Sequence, residues 1–242
     1  MISVSNRKEC VRMEDNKHYR HELKYQISYA EYAAMRQRLK AVMKTDPHAS
    51  DDGKYRIRSI YFDNCEDKAL KEKIDGIAKR EKFRIRYYND DFSFITLEKK
   101  MKNNNLCLKY DATITEEECR KILSGNLAWM KEHKEELVRE LYAKMTYQGL
   151  KPKVLVSYVR EPYIYTAGNV RVTFDSEIRT SLFHQDFLTG EVDDISATDT
   201  PGDMFLEVKY DAFLPSVIQD LIQVRGIRQQ AFSKYGASRR FG

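Results

Sequence analysis

Charged residues of both signs recur at every second position along several segments of this chain. Because alternate residues of a β-strand point to the same face, each segment would place its charges side by side. The charged residues that share a face within a segment are Arg20, Glu22 and Lys24; Lys82, Arg84 and Arg86; Glu98 and Lys100; Arg160; Arg171 and Asp175; and Glu207 and Lys209. A solvent-facing sheet explains any one strand, but six strands that favour arginine indicate the wet interior of a closed barrel.

This mixture of charges has a definite ligand chemistry. Several arginine and lysine side chains together provide charge-assisted, partly bidentate hydrogen bonds to phosphate oxygens. Glutamates among them would repel a bare polyanion, so they are best explained as ligands of Mg²⁺ or Mn²⁺, which bind carboxylate and phosphate oxygens together. A basic cradle with a carboxylate-held metal is what phosphoryl transfer requires. The glutamates also argue against nucleic-acid binding, which favours an unbroken basic stripe.

The overall composition indicates which cellular compartment and which class of ligand to expect. The 242 residues include 42 Lys and Arg against 37 Asp and Glu, and the net charge of +5 suits small acidic ligands. The four cysteines lie far apart without metal-binding spacing, which indicates reduced thiols and a cytoplasmic protein. Neither a secretory leader nor an apolar run of about 20 residues is visible, so we expect no direct membrane insertion. Membrane association would need a partner protein that the sequence does not identify.

Period-two patterns predict the strands, and capping signals predict the helices. The predicted strands are Tyr19–Ile27, Tyr55–Asp63, Lys82–Tyr88, Phe92–Lys100, Leu106–Thr113, Val154–Tyr165, Arg171–Ile178 and Met204–Tyr210. The predicted helices are Ser28–Met43, Glu66–Asp75, Thr115–Gly125, Asn126–Gln148 and Pro215–Gln230. A polar loop is expected at Glu191–Asp203.

These elements predict an α+β fold. We expect residues 1–15 to form a flexible tail and residues 16–242 to form one domain with a helical insertion at about 115–149. The strands are expected to close into an eight-stranded antiparallel β-barrel with the helices on its outside.

Eight segments, taken in order, resemble the VTC domain of the vacuolar transporter chaperone family, within the triphosphate tunnel metalloenzymes related to CYTH proteins. They are RHELKY at Arg20–Tyr25, RSIYFD at Arg58–Asp63, KFRIRYY at Lys82–Tyr88, LEKK at Leu97–Lys100, SYVREPY at Ser157–Tyr163, RVTFDSEI at Arg171–Ile178, FLEVKY at Phe205–Tyr210 and FSKY at Phe232–Tyr235. Each motif alone is weak, whereas the ordered set is specific and spans about residues 18–236.

The resemblance implies an eight-stranded tunnel that binds a triphosphate lengthwise with Mn²⁺ or Mg²⁺, and a C-terminal helix at one tunnel end. Family members either polymerise polyphosphate from ATP or hydrolyse triphosphate-containing substrates. The candidates for catalysis and phosphate binding are Lys24, Arg84, Arg86, Lys100, Arg160 and Arg171. Lys209 and Lys234 are further phosphate-binding candidates. The main metal-ligand candidate is Glu207, with Glu22 and Glu98 in support.

The first strand departs from the CYTH pattern. CYTH-type proteins open with ExExK, whereas this chain reads RxExK from Arg20 to Lys24. Losing one carboxylate and gaining a cation favours a polymerase-type site over a two-metal hydrolase. The leading hypothesis is therefore polyphosphate synthesis from ATP, and a tripolyphosphatase or nucleoside triphosphatase is its close alternative. A non-catalytic polyphosphate-binding module and a nucleic-acid-binding barrel are the remaining alternatives.

Three further expectations concern residues near these strands. Lys99 has the opposite parity to Glu98 and is expected to be exposed to solvent. Asp175 and Thr173 are assigned either a ligand role or a role at a turn. The basic end, Arg239–Phe241, is expected to be a solvated tail or, alternatively, an exit patch for polyphosphate.

Overall fold

The computed structural model describes residues 19–104, 106–182, 187–189, 193–200, 202–223 and 228–241. The predicted tail at residues 1–15 lies outside the described residues, as do residues 191–192 and 201 of the predicted polar loop. Within the described ranges, no helix is both long enough and apolar enough to cross a membrane.

One antiparallel sheet organises the fold. Its strands are β1 (His21–Ile27), β2 (Lys44–Thr45), β3 (Tyr55–Asp63), β4 (Lys79–Tyr88), β5 (Asp91–Asn103), β6 (Leu106–Ile114), β7 (Lys151–Tyr165), β8 (Val170–Ser181), β9 (Ile195–Ser196) and β10 (Met204–Tyr210). Pairing runs in the order β1-β10-β8-β7-β3-β4-β5-β6, with β2 beside β7 and β9 beside β8. All eight predicted strands are confirmed, and β9 falls within the segment predicted to be a loop.

The helices are α1 (Tyr29–Val42), α2 (Lys68–Ile74), α3 (Glu116–Leu123), α4 (Glu136–Tyr147), α5 (Ser216–Ile222) and α6 (Lys234–Phe241), with 3₁₀ turns at Ala128–Glu132 and Ala167–Asn169. Both predicted capping boxes are confirmed. The hydroxyls of Ser28 and Thr115 accept the third helical N–H, and Glu31 and Glu118 accept the N–H of the capping residue. Each box satisfies two backbone donors that would otherwise lack a helical partner.

The single helix predicted over Asn126–Gln148 is wrong. The chain forms a 3₁₀ turn, becomes extended at His133 and starts α4 only at Glu136. The His133 ring explains the break, because Nδ1 accepts a hydrogen bond from the Glu135 N–H at 3.1 Å and Nε2 lies 3.2 Å from Glu118. Side-chain bonds of this kind compete with the helical pattern.

The helix predicted over Pro215–Gln230 is also too long. α5 ends at Ile222, and residues 228–230 run beside β1, where the Gln230 N–H donates to the Lys24 carbonyl at 2.8 Å. The unpaired side of β1 supplies backbone partners that a continued helix would otherwise supply. The segment therefore joins the sheet edge instead of extending α5.

The solvated tail predicted at Arg239–Phe241 is wrong as well. These residues belong to α6, and the Arg239 guanidinium pairs with Asp67 at 3.2 Å. The other end of α6 is held through Asp63, whose carboxylate accepts a hydrogen bond from the Tyr235 hydroxyl at 2.6 Å. α6 also contacts α2, β7 and β8.

The expected barrel closure is not confirmed, although the two edge strands, β1 and β6, meet at one point. Arg20, just before β1, forms one antiparallel bridge with Cys107 of β6, with two backbone hydrogen bonds of 3.0 Å. No longer ladder joins β1 to β6 among the described residues. Side chains do cross the junction, since Lys100 of β5 bonds to Glu22 of β1 at 2.7 Å.

The two faces of the sheet differ in chemistry because side chains alternate along each strand. The outer face is apolar: α3 and α4 cover one core that includes Ile85 and Leu97, and α1 and α5 cover a second that includes Leu206 and Val208. The opposite face, called the inner face below, carries the polar side chains that alternate with them, such as Glu207 between Leu206 and Val208. Helices α1, α3, α4 and α5 thus cover the outer face, whereas α6 contacts the inner face through Lys234 and Tyr235.

Lys99 is an exception on the outer face. The expectation that it is exposed is wrong, because its side chain is buried beneath α4. Its ammonium pairs with Glu140 of α4 and with Glu81 at 3.3 Å, and it lies over the rings of Phe83 and Tyr110. Lys99 does lie on the opposite face to Glu98, as predicted. The strand pattern alone could not show that α4 covers that face.

Candidate functional site

Among the described residues, four carboxylates whose side chains are no more than 10% exposed form an ion-pair network with eight cations on the inner face. The carboxylates are Glu22, Glu98, Asp175 and Glu207. The cations paired with them are Lys24, Arg84, Arg86, Lys100, Lys109, Arg160, Lys209 and Lys234. This excess of positive charge, in a partly enclosed space, attracts an anion.

Glu98 anchors the first group of cations. It lies opposite Arg84 in the β4–β5 register and accepts hydrogen bonds from two nitrogens of that guanidinium, at 2.6 and 2.5 Å. Lys109 lies 3.0 Å from the same carboxylate and Arg86 lies 3.8 Å from it. Arg86 also donates to the Tyr158 hydroxyl at 3.0 Å. Each guanidinium has five N–H donors, so these contacts orient the arginines and leave donors for a ligand.

Asp175 anchors the second group. Its fully buried carboxylate accepts two hydrogen bonds from Arg160, at 2.6 and 2.7 Å, and also pairs with Lys234 of α6. The Lys234 ammonium lies 4.5 Å from the centre of the Tyr158 ring. Asp175 is the counter-ion of Arg160 and Lys234, two predicted phosphate-binding residues. Because it lies in the middle of β8, it does not cap a turn.

Glu22 and Glu207 form the third group, where the two carboxylates contact each other. Lys24 lies 3.7 Å from both, and Lys209 lies 3.8 Å from Glu22 and 3.4 Å from Glu207. Two adjacent carboxylates repel each other unless cations surround them. Burial disfavours the charged form of Glu207, but Lys209, Lys24 and other cations outweigh it and hold its pKa well below the usual range.

Arg171 lies at the edge of this arrangement. Its guanidinium pairs with Asp46 and donates to the Tyr55 hydroxyl at 3.0 Å, and its side chain is 35% exposed. It faces none of the four network carboxylates within salt-bridge distance in the described part of the chain. Its neighbour in register is Lys209, so it extends the basic surface outward from the third group.

The structure therefore brings most of the predicted residues together and separates a few. Lys24, Lys100, Lys209, Glu22 and Glu207 share one group. Glu98, a predicted supporting metal ligand, lies in another group, where three cations surround it. The predicted roles of these residues remain proposals.

Sequence reasoning gave no role to Lys82 and Lys109, two of the described cations of this face. Lys82 shares the parity of Arg84 and Arg86, and that signal was present in the sequence although it led to no predicted role. Lys109 lies in β6, where only one other charged residue, Asp111, shares its face, so the pattern there is weak. Inward-facing tyrosines such as Tyr61 and Tyr158 were also missed, because aromatic residues were attributed to the apolar core.

Arg20 does not join the network. Its guanidinium pairs with Asp211 at 2.9 Å and donates to the Asn169 carbonyl. The RxExK strand therefore lacks the first carboxylate of the CYTH pattern, but it adds no free cation to the inner face. The effect of Arg20 on the site is the loss of a carboxylate.

Comparison with protein families decides the relationship. The sequence profile of the VTC domain matches residues 19–241, almost the entire chain. The chain belongs to the VTC domain family. This membership confirms the resemblance inferred from the eight ordered motifs, and the network residues all lie within the VTC domain match.

Curated proteins and solved structures add little to the VTC relationship. No curated protein matches the chain significantly. Among solved structures, a proposed adenylate cyclase from Bacillus halodurans has 15% identity and a TM-score of 0.49, covering 80% of this chain and 81% of its own. The mimivirus capping enzyme triphosphatase has 10% identity and a TM-score of 0.37, with coverages of 85% and 91%. Similarity at this level carries no argument about activity.

Proposed function

We propose that this VTC-domain protein transfers phosphoryl groups on a triphosphate or polyphosphate chain, and that it synthesises polyphosphate from ATP. The observation that carries the proposal is the network of eight cations and four carboxylates on one face of the sheet. Phosphoryl transfer depends mainly on positioning the chain and neutralising its charge. Oriented guanidinium and ammonium groups provide both.

Closure of the sheet into a tunnel is part of this proposal. The bridge between Arg20 and Cys107 and the bond between Lys100 and Glu22 support it, because they join the two ends of the strand order. A closed barrel surrounds an extended chain with donors from several strands. A linear phosphate chain fits such a space lengthwise.

A divalent cation, Mn²⁺ or Mg²⁺, is also proposed. No three or more His, Cys, Asp or Glu side chains in the described residues are grouped closely enough to hold a metal by themselves. The adjacent carboxylates of Glu22 and Glu207 nevertheless fit, because Mg²⁺ is commonly bound by one or two carboxylates together with substrate phosphates. The Thr173 hydroxyl, opposite Glu207 in register, is buried without a hydrogen-bond partner among the described residues and offers another oxygen. Such an ion would neutralise phosphate charge during transfer.

The protein's own residues would then have distinct roles. Arg84 and Arg86, oriented by Glu98, bind phosphate oxygens from one wall. Arg160 and Lys234, held by Asp175, bind them from another. Because Arg86 and Arg160 are buried, their contacts with phosphate would be less screened by bulk water than contacts at the surface.

Synthesis is preferred to hydrolysis because of Arg20. A site with one carboxylate fewer is less suited to holding a second metal that activates water. Here Arg20 occupies the position of the first glutamate and turns away to Asp211. The tripolyphosphatase or nucleoside triphosphatase alternative keeps the same binding face and differs only in using water as the acceptor.

Incubating the purified protein with ATP and Mn²⁺ and resolving the products on a gel tests the proposal. A ladder of long phosphate chains is the expected result, and release of short phosphates alone would identify a hydrolase. Glu207→Gln should abolish turnover, whereas Glu66→Gln, at an exposed position, should not change it. Tight tripolyphosphate binding without turnover of either kind would leave only a binding module.

A further inference from the structure

Lys82 lies on the inner face outside the ion-pair network. Among the described residues, no carboxylate lies within salt-bridge distance of its ammonium, whereas each of the eight network cations has at least one. The Lys82 ammonium instead lies over the Tyr61 ring, with 5.5 Å between Nζ and the ring centre. Yet Lys82 is partly buried and lies on the strand that carries Arg84 and Arg86. A cation in such a position is unfavourable unless an anion joins it.

The surroundings of Lys82 are positively charged. Lys100 of β5, Lys24 of β1 and Arg84 of its own strand all face it, and Tyr61 of β3 is the group that favours its charged form. Loss of hydration, together with these three cations, lowers the pKa of Lys82 to about 7. A phosphate group in this space would reverse the balance by supplying the missing negative charge.

The groups on the side of Lys82 that faces α2 do not supply a counter-ion. The charged side chains that line a small cavity with Lys82 are Asp63, Lys68, Glu72, Glu81 and Lys144. Glu81 pairs with Lys99 and Lys144. Asp63 accepts hydrogen bonds from the Tyr235 hydroxyl and from backbone N–H groups of α2, and Glu72 lies 3.8 Å from Lys68. These carboxylates are already satisfied by other partners.

Tyr61 places Lys82 at the α6 end of the inner face. The Tyr61 ring stacks on Tyr235 of α6 with ring centres 5.3 Å apart, and its hydroxyl accepts a hydrogen bond from Arg84 at 3.0 Å. The ammonium of Lys82 and the guanidinium of Arg84 therefore lie around one ring, close to the helix that carries Lys234. A phosphate reaching this point would meet several donors at once.

We propose that Lys82 binds the phosphate group that reaches furthest toward α6, and that this contact contributes to selection of triphosphate and longer chains as substrates. The inference rests on the proposed function and gives a role to Lys82, the first residue of the KFRIRYY motif, for which the resemblance implied none. Lys82 is a binding residue, and the phosphate of the substrate supplies its counter-ion. Its neutral amine takes up a proton and becomes an ammonium when the anion binds, because the bound phosphate favours the charged form.

Calorimetric titration with inorganic tripolyphosphate, with metal removed by a chelator, tests this assignment. Lys82→Met should weaken binding by about 10- to 100-fold, the range for loss of one charge-assisted hydrogen bond. Lys79→Met removes the same charge from an exposed position of β4 and should leave affinity within about twofold. Lys82→Arg should retain most of the affinity, because it keeps the charge and the donors.

Proton uptake separates binding from a structural role. Measured at pH 8 in buffers of different ionisation enthalpy, wild type should take up more protons per bound tripolyphosphate than Lys82→Arg, because the arginine is charged before binding. At pH 6, where Lys82 is already protonated, the two proteins should match. Wild-type affinity in Lys82→Met, or equal uptake by Lys82→Arg and wild type at pH 8, would overturn the assignment of Lys82 alone. Absence of tripolyphosphate binding by wild type would instead overturn the proposed function.

Discussion

Replacing Asp175 with alanine would remove a carboxylate that both Arg160 and Lys234 contact on the inner face. Asp175 is fully buried and accepts two hydrogen bonds from Arg160 and one from Lys234. Without it, Arg160 keeps Glu207 at 3.2 Å, but Lys234 loses the carboxylate it contacts. Breaking a buried ion pair from one side costs about 3–5 kcal/mol. We expect a loss of that size in the free energy of unfolding.

The pKa of Asp175 gives a second, smaller value for its contribution to the free energy of unfolding. Burial disfavours its charged form, but Arg160 and Lys234 outweigh burial and lower the pKa from 3.8 to about 2. This difference corresponds to about 2 kcal/mol of stability. Because the folded pKa is the lower one, this contribution is complete above about pH 4 and is lost as the pH falls toward 2. The substitution costs more than protonation because it also removes the hydrogen-bonding oxygens.

Urea denaturation at pH 7 measures the effect, and Asp111→Asn is the matched control. Asp111 is 56% exposed and lies 3.6 Å from Lys109, so its loss should cost less than about 0.5 kcal/mol. Tripolyphosphate should restore part of the lost stability in Asp175→Ala, since it would neutralise the released cations. A loss below about 1 kcal/mol at pH 7, with no change in the acid transition between pH 4 and 2, would refute the reasoning.

Three further substitutions test the supports of the site. Tyr235→Phe removes the hydrogen bond to Asp63, and we expect a loss of about 1–2 kcal/mol and faster proteolysis at α6. Lys99→Met removes the ion pair between the outer face and Glu140 of α4. We expect the free energy of unfolding to fall by about 1 kcal/mol and the tripolyphosphate affinity to stay unchanged. Thr115→Ala removes the α3 capping box and should cost about 1 kcal/mol by the same measurement, again with unchanged affinity. Weakened binding in either of the last two variants would contradict the separation of the faces.

The strands and the chemistry of their faces could be predicted because alternation is a local property. A residue's parity fixes its face wherever the strand is regular, so Arg84, Arg86 and Glu98 could be assigned to one face from sequence. The two capping boxes were equally readable, because each depends on residues only three positions apart. The ordered motifs are short and local as well, so the sequence alone was sufficient to indicate the VTC family.

Helix lengths were less predictable, because distant groups ended them. The break before α4 depends on His133 and its contact with Glu118, fifteen residues away. The end of α5 is followed by a segment that pairs with β1 near Lys24, about 200 residues earlier in the chain. Such contacts compete with helix formation only after the sheet has been assembled.

What the sequence determined by itself is which charges share a face and what ligand they suit. Tertiary structure decided which charges neutralise one another: Asp175 with Arg160 and Lys234, Glu98 with Arg84, and Arg20 with Asp211 away from the site. It also decided that Lys82 has no carboxylate partner among the described residues. Ion pairing depends on distances of a few ångströms between strands remote in sequence, and Coulomb energy falls with that distance. No spacing along the chain encodes it.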